Sequence, residues 1–281
     1  AALQGIKRRI RSVRNTRQIT KAMQMVEASK LRKTQAAAQK PKDYTEAARE
    51  LLERLSSQPE SKRNPLFRTR PVKQALTILI AGDRGMAGAY NNNALKALIR
   101  HIVDVGAPQK TICIGKRASL QVARAADVEE ISSYNIDHGD ADTAIAQPVL
   151  EEIMDLFDRK EVDVVHLIYT QFTSMVKQEV IVRQLLPVPA AGPGNYLSDY
   201  EPEPEEFVNF AVRRVLEADI TQAVLESRAS ENAARMVAMM NATDNADDLI
   251  GDYTLAFNNA RQATITQEIA EISGGAEAIT Q

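Results

Sequence analysis

Ile265-Thr-Gln-Glu-Ile-Ala-Glu-Ile-Ser-Gly-Gly-Ala-Glu-Ala-Ile279 decides the architecture of this chain. Its apolar side chains at Ile265, Ile269, Ile272, Ala276 and Ile279 step by four, three, four and three. That spacing draws a narrow stripe along a helix, suited to pairing with one other helix rather than to sinking into a broad core. A matching stripe, Leu3, Ile6, Ile10 and Val13, lies at the other end of the chain, on a strongly basic segment. The two ends are expected to pair as antiparallel helices, with Ile265, Ile269 and Ile272 facing the N-terminal helix.

From Leu3 to about residue 57 the sequence reads as one helix, with a kink or break expected at its only proline, Pro41. The N-terminal stripe does not hold one register by residue type. After Val13 its positions fall on Arg17 and Thr20, and a displaced stripe starts at Ile19, Met23 and Val26, so a break in register is expected. From about Glu205 the chain reads as helix again to residue 281. About 75 residues would give a helix near 110 Å long. A helix of that length outruns what a domain of this size can bury, so an external sleeve is expected.

Between these ends, residues 71–195 alternate short apolar runs with helical stretches. The strands expected are Ala75–Ala81, Lys110–Gly115, Val128–Ser133, Val162–Phe172 and Lys177–Leu186, with helices over Asn92–Val105, Lys116–Ala125 and Asp142–Arg159. Such alternation predicts a Rossmann-like α/β domain with a mostly parallel five-stranded sheet, its last two strands closing one edge as an antiparallel hairpin. The organisation is therefore an N-terminal coiled-coil helix over 1–57, a central α/β domain over 71–195 and a C-terminal coiled-coil helix over 205–281. Five prolines between 187 and 206 mark an irregular connector.

Charge is unevenly spread, although the net is only −2. Residues 1–70 carry 18 Lys and Arg against 6 Asp and Glu, a net of +12, whereas residues 201–281 carry 5 against 15, a net of −10. The basic face running from Lys7 to Lys33 is open to three readings: an acidic protein partner, nucleic acid, or a solvated surface. Aromatic side chains that could stack on bases are missing from it. No apolar run approaches the roughly 20 residues of a membrane span. Cys113 sits alone in an apolar run, which excludes an internal disulfide, and His101, His138 and His166 lack metal-ligand spacing.

The segment Gly82-Asp-Arg-Gly-Met-Ala-Gly88 occupies the usual place of a nucleotide loop, after a strand and before a helix. Its glycines fit neither the dinucleotide fingerprint nor the phosphate loop, and Ala89 and Tyr90 stand where the latter needs Lys and Ser or Thr. It is read as a packing turn, with an anion site as the alternative. Asp83 and Arg84 read as a local cap or ion pair. No catalytic constellation, cofactor site or metal site is expected.

Ile19-Thr-Lys-Ala-Met-Gln-Met-Val-Glu-Ala-Ser-Lys-Leu-Arg32 and Arg261-Gln-Ala-Thr-Ile-Thr-Gln-Glu-Ile-Ala-Glu-Ile-Ser-Gly-Gly-Ala276 closely resemble the gamma subunit of the rotary ATP synthase. Asp83-Arg-Gly-Met-Ala-Gly88, Gln184-Leu-Leu-Pro-Val-Pro189, Tyr200-Glu-Pro202 and Ala234-Arg-Met-Val-Ala-Met239 fall in that family's order. The resemblance implies a central stalk that passes torque between a membrane ring, driven by protons or sodium ions, and a head of alternating alpha and beta subunits. It implies no catalytic site, no cofactor, no nucleic acid and no membrane insertion. Lys21, Met23 and Arg235 match positions facing the beta-subunit lever. Arg261, Gln262 and Thr266 match those meeting the catch loops of the head. Tyr200 and Glu201 match the foot that meets the rotor ring and the epsilon subunit. The implied place is peripheral, on the cytoplasmic face of a bacterial plasma membrane or the matrix face of a mitochondrial inner membrane. Two residues depart from the family pattern: Glu27, where Ala is common, puts an acid in the basic collar, and Ala87 replaces a frequent cysteine. A basic-armed nucleic-acid binder and a nucleotide-using α/β enzyme are the alternatives.

Overall fold

A computed structural model describes residues 2–56, 64–125, 128–136, 144–189 and 204–280. The chain runs α1 (Ala2–Gln39), α2 (Lys42–Ser56), β1 (Ala75–Ile80), α3 (Tyr90–Val105), β2 (Gln109–Ile114), α4 (Lys116–Val122), β3 (Val128–Tyr134), α5 (Ala146–Asp158), β4 (Val164–Phe172), β5 (Gln178–Leu186) and α6 (Pro204–Thr280). The expected break falls at Pro41. Its ring removes a backbone donor, α1 stops at Gln39, and α2 restarts with Thr45 N–H on the Pro41 carbonyl at 2.9 Å. Two compact units result, one of Ala1–Val26 with Met236–Gln281 and one of Glu27–Arg235.

In the unit of Glu27–Arg235 the sheet order is β3-β2-β1-β4-β5. β1 pairs in parallel with β2 and β4, β2 with β3, and β5 returns antiparallel along β4. Every side chain of β1 is buried, as expected of a central strand covered on both faces. Leu76, Ile78 and Ile80 share one core with α5 and with α6 from Val208 to Val224. Leu79 and Ala81 join Cys113 and Ile168 beneath α3 and α4. The α/β class and the mostly parallel five-stranded sheet are as read from the sequence.

In the other unit α1 and α6 lie antiparallel, with Arg17 Nε on Asp247 Oδ1 and Thr243 on Thr20. The α6 residues turned inward are Met236, Met239, Thr243, Ala246, Ile250, Tyr253, Phe257, Ala260 and Thr264, stepping by three and four throughout. On α1 they are Leu3, Ile6, Ile10, Val13, Arg17 and Thr20, with the same steps.

Two expectations are corrected here. The N-terminal stripe keeps its register and becomes polar: Arg17 and Thr20 hold the inward positions, while Ile19 and Val26 are exposed. The stripe Ile265, Ile269 and Ile272 does not face α1, its members being 45, 58 and 72% exposed. Thr264 is inward, and each residue advances about 100° around a helix, so Ile265 is turned well away from the seam. Residue type identified a stripe but not the face that the first polar contact selects.

Beneath α3, the His101 and His166 rings meet edge to face at 4.2 Å. Burial, and then the neighbouring His101, push His166 down to about 4. Held well below the value of about 6.5 for an unfolded imidazole, this group takes up protons in the unfolded chain before it does in the folded one. Stability is therefore complete above about pH 6.5 and falls as the pH drops from there toward 4. Thermal unfolding across that range is expected to show a decline in Tm that His166→Asn largely removes. An equal decline in the variant would assign the acid sensitivity elsewhere.

Candidate functional site

The glycine-rich loop after β1 is tied by hydrogen bonds to the first turns of α3 and α4. Asn91 Oδ1 accepts from Gly82 N–H at 2.9 Å, and Asp83 Oδ1 accepts from Lys116 N–H at 2.9 Å, at the start of α4. Arg117 N–H donates to the Gly82 carbonyl at 2.9 Å. Met86 has φ +60° and Gly88 φ +56°, so the chain turns through the left-handed region to enter α3. Met86 and Arg84 point to solvent, whereas Ala87 is buried.

In a doubly wound sheet the usual ligand crevice lies at the carboxyl ends of the strands where the order reverses, here between β1 and β4. That crevice is occupied by α6. Ser227 Oγ accepts from Thr170 N–H at 3.3 Å, Ser230 Oγ donates to the Thr170 carbonyl at 3.1 Å, and the Tyr90 hydroxyl donates to the Ser227 carbonyl at 3.0 Å. The Glu231 carboxylate lies directly over Gly82, where an added Cβ would come within 2.6 Å of Oε1. The space over the loop thus belongs to a protein carboxylate, which fits the packing-turn reading.

Glu231 in turn pairs with Arg235 one turn later, the strongest acid-before-base arrangement on a helix. Arg235 is 4% exposed and uses all three of its nitrogens. Nη2 goes to Glu231 Oε1, Nη1 to Glu27 Oε2 at 3.3 Å, and Nε to the Gly85 carbonyl at 3.2 Å. Lys30 Nζ reaches the other Glu27 oxygen at 3.1 Å. Burial opposes the charge on Arg235, but Glu231 and then Glu27 hold its guanidinium above the ordinary value. One fork therefore ties α1, α6 and the glycine loop together, an arrangement that a lysine could not reproduce.

The residues expected to meet partners divide into three groups. Lys21 is exposed, with its ammonium 3.4 Å from Gln24 Oε1, and Met23 is half-buried. Arg261, Gln262 and Thr266 are exposed, and Thr266 donates only to the Gln262 carbonyl of its own helix, at 2.9 Å. Arg235 is not on the surface, because its donors are consumed inside the fold. Glu27 likewise does not place an acid in the basic collar; it is 5% exposed. Tyr200 and Glu201 lie outside the described residues. Sequence reading missed Glu231 and Gly85 as partners of Arg235, although the four-residue spacing from Glu231 was available as a signal.

Among the described residues no helix is long and apolar enough to cross a membrane. In the unit formed by the chain ends, Ile19, Met25, Val26, Leu249, Leu255, Ile265, Ile269 and Ile272 are large apolar side chains left in solvent. Exposed apolar surface of this extent on a helix pair marks an interaction surface.

The Glu231 contact gives a sign test with one substitution made at two glycines. Gly82→Ala forces a locked carboxylate to move and should destabilise by about 1–3 kcal/mol. Gly251 lies within α6 with nothing within 4 Å of an added Cβ, so Gly251→Ala should stabilise by roughly 0.5–1 kcal/mol. Chemical denaturation of the two variants checks the pair; shifts of the same sign would contradict the packing described for Gly82.

The family model for ATP synthase matches residues 2–279. An ATP synthase gamma chain of Moorella thermoacetica is 39% identical over 284 residues, covering 99% of each chain. One of Symbiobacterium thermophilum is 41% identical over 282 residues, covering 98% of this chain and 97% of the other. Among solved structures, a chain of the Euglena gracilis mitochondrial ATP synthase (OSCP/F1/c-ring, rotational state 3) superposes with a TM-score of 0.72. It is 21% identical, with 99% of this chain and 94% of that one covered. A chain of the Tetrahymena thermophila mitochondrial ATP synthase central stalk and c-ring gives a TM-score of 0.65 at 24% identity, over 80% of this chain and 99% of that one. Long terminal helices, a sheet whose crevice is closed by its own helix, and identity of this level over nearly the whole length agree: this chain belongs to the ATP synthase gamma-chain family.

Proposed function

We propose that the chain is the central rotor shaft of an ATP synthase. It carries torque between a membrane ring driven by protons or sodium ions and a catalytic head of alpha and beta subunits, and has no catalytic site of its own. The observation that carries this reading is the apolar surface left outside the unit formed by the chain ends. The seam takes Ile6, Ile10, Ile250 and Phe257 together with the Thr20–Thr243 pair, yet Ile19, Leu255, Ile265, Ile269 and Ile272 stay exposed. A helix pair built this way leaves its apolar surface for a surrounding protein. Lys21, Met23, Arg261, Gln262 and Thr266 are the contacts with the head; all but the half-buried Met23 are exposed. Arg235 serves the same end indirectly, by holding the glycine loop and α1 to α6. Tyr200 and Glu201 are the contacts with the ring and the epsilon subunit, and the division 1–57, 71–195 and 205–281 is the functional one.

The bacterial gamma chains that it resembles support a place on the cytoplasmic face of the plasma membrane, as a peripheral subunit. The basic face of α1 is assigned to an acidic surface of the head rather than to nucleic acid. Exposed ion pairs there contribute only about 0–1 kcal/mol each, so reversing Lys21 alone should have a mild effect.

Ile269→Asp separates this reading from a seam role for the same residue. As a surface change it should leave the Tm of the isolated chain within about 1 °C, being worth within roughly 0.5 kcal/mol. In a head reconstituted from alpha, beta and this chain, the buried carboxylate should weaken assembly or lower ATP hydrolysis at least several-fold. Loss of stability in the isolated chain would return Ile269 to the seam. Steady ATP hydrolysis by the purified chain alone, or failure of the unmodified chain to associate with alpha and beta subunits, would overturn the rotor reading itself.

A further inference from the structure

The buried charges around Arg235 are expensive to keep. Two carboxylates, a guanidinium and an ammonium lie together, and Glu27, Glu231 and Arg235 are each at least nine-tenths out of solvent. Desolvating such groups offsets most of what their attraction gains, so ion pairs of this kind are weak sources of stability. What they do supply is geometry. Arg235 has one donor direction for each of three elements: Nη2 for its own helix at Glu231, Nη1 for α1 at Glu27, and Nε for the loop at Gly85.

The contact with Gly85 is the one that needs help. A carbonyl oxygen alone does not fix a long side chain, and Glu231, on the same helix, constrains the guanidinium from one end only. Glu27 constrains it from α1, and Lys30 holds the second Glu27 oxygen, so the carboxylate cannot swing to follow a displaced arginine. Gly82 takes the Glu231 carboxylate on its open face, so the same cluster touches the loop at both 82 and 85. Arg84, between those two contacts, and Met86, just after them, face solvent, whereas Ala87 is buried.

We propose that Glu27 is a positioning residue that, acting through Arg235, latches the 82–88 loop onto α6 and so fixes where Arg84 and Met86 are presented. The loop is then held against α6 of its own unit instead of opening on its own. Its value in coupling rests on the rotor reading, but the latch itself does not, and the two can fail separately.

Thiol labelling of the full chain measures the latch. Ala87→Cys places a probe that is covered while the loop is down, and Cys113, buried in the sheet with its thiol pushed up to about 12 by burial and then by Glu130, reports opening of the domain as a whole. Adding Glu27→Ala should speed modification at position 87 by tenfold or more, with Cys113 unchanged. Glu27→Gln, which keeps the shape and one acceptor but not the charge, should fall in between. Arg235→Lys, which keeps the charge but not the three-way fork, should label as fast as Glu27→Ala. Labelling at 87 that is indifferent to Glu27→Gln and Arg235→Lys would overturn the proposal, as would acceleration at 87 and 113 together. Should Glu27→Ala fail to fold, those two variants still decide it. Association with alpha and beta subunits, measured on the same proteins, tests the rotor reading independently: a lifted loop in a chain that still assembles supports the latch, and an unlifted loop in such a chain refutes it.

Discussion

A hydrogen bond between two threonine hydroxyls fixes the unit built from the chain ends. Thr243 donates to Thr20 Oγ1 at 2.8 Å, and Thr20 passes its own proton to the Arg17 carbonyl at 3.0 Å. Both residues are buried, and although the Met239 carbonyl also lies 2.8 Å from the Thr243 hydroxyl, a slip of one residue would cost the bond between the helices, so the pair favours one axial alignment. Apolar seams permit neighbouring registers at modest cost, whereas a polar pair within a seam selects one. Arg17 and Asp247 add a second polar rung one turn away. With the register set there, the helical repeat decides which later residues face inward, and Ile265, Ile269 and Ile272 are left outside.

The same logic recurs in the unit of Glu27–Arg235. Asn232 Nδ2 donates to Thr34 Oγ1 at 3.2 Å, and Gln222 Nε2 donates to the Ala38 carbonyl at 3.1 Å. Together with the Arg235 fork these are specific, short-range contacts that gain little from area and much from alignment. A shaft that bears torque needs resistance to slip and twist more than it needs thermodynamic stability, and polar rungs of defined geometry supply that resistance. The sheet, by contrast, is held conventionally, by fully buried aliphatic side chains on both faces of β1.

The strands were legible as short apolar runs between helical stretches, and each observed boundary lies within about two residues of that expected. Pro41 announced its break through the chemistry of its ring. The glycine loop was legible as a non-nucleotide turn from the missing Lys-Ser pair, but the reason for Gly82 was not, because Glu231 lies about 150 residues away and only tertiary structure brings it there. The faces of α6 were misread for a related reason. Isoleucine outweighs threonine on any hydrophobicity scale, so residue type alone assigns Ile265 to the seam and Thr264 to solvent. The fold inverts that order at this end of α6, where Thr264 continues the inward positions and Ile265, Ile269 and Ile272 are left on another surface. Arg235 was likewise read as a surface contact, since a buried arginine is rare unless its partners are known in advance.

Central to this account is that the outward face of α6 from Leu249 to Ile272 is completed by another protein rather than by α1. Amide hydrogen exchange over that stretch, compared between the isolated chain and the chain assembled with alpha and beta subunits, tests it most directly. The account predicts faster exchange there than over residues 211–235 in the isolated chain, and strong slowing on assembly. Protection that is already as high in the isolated chain, and unchanged by the head, would contradict it.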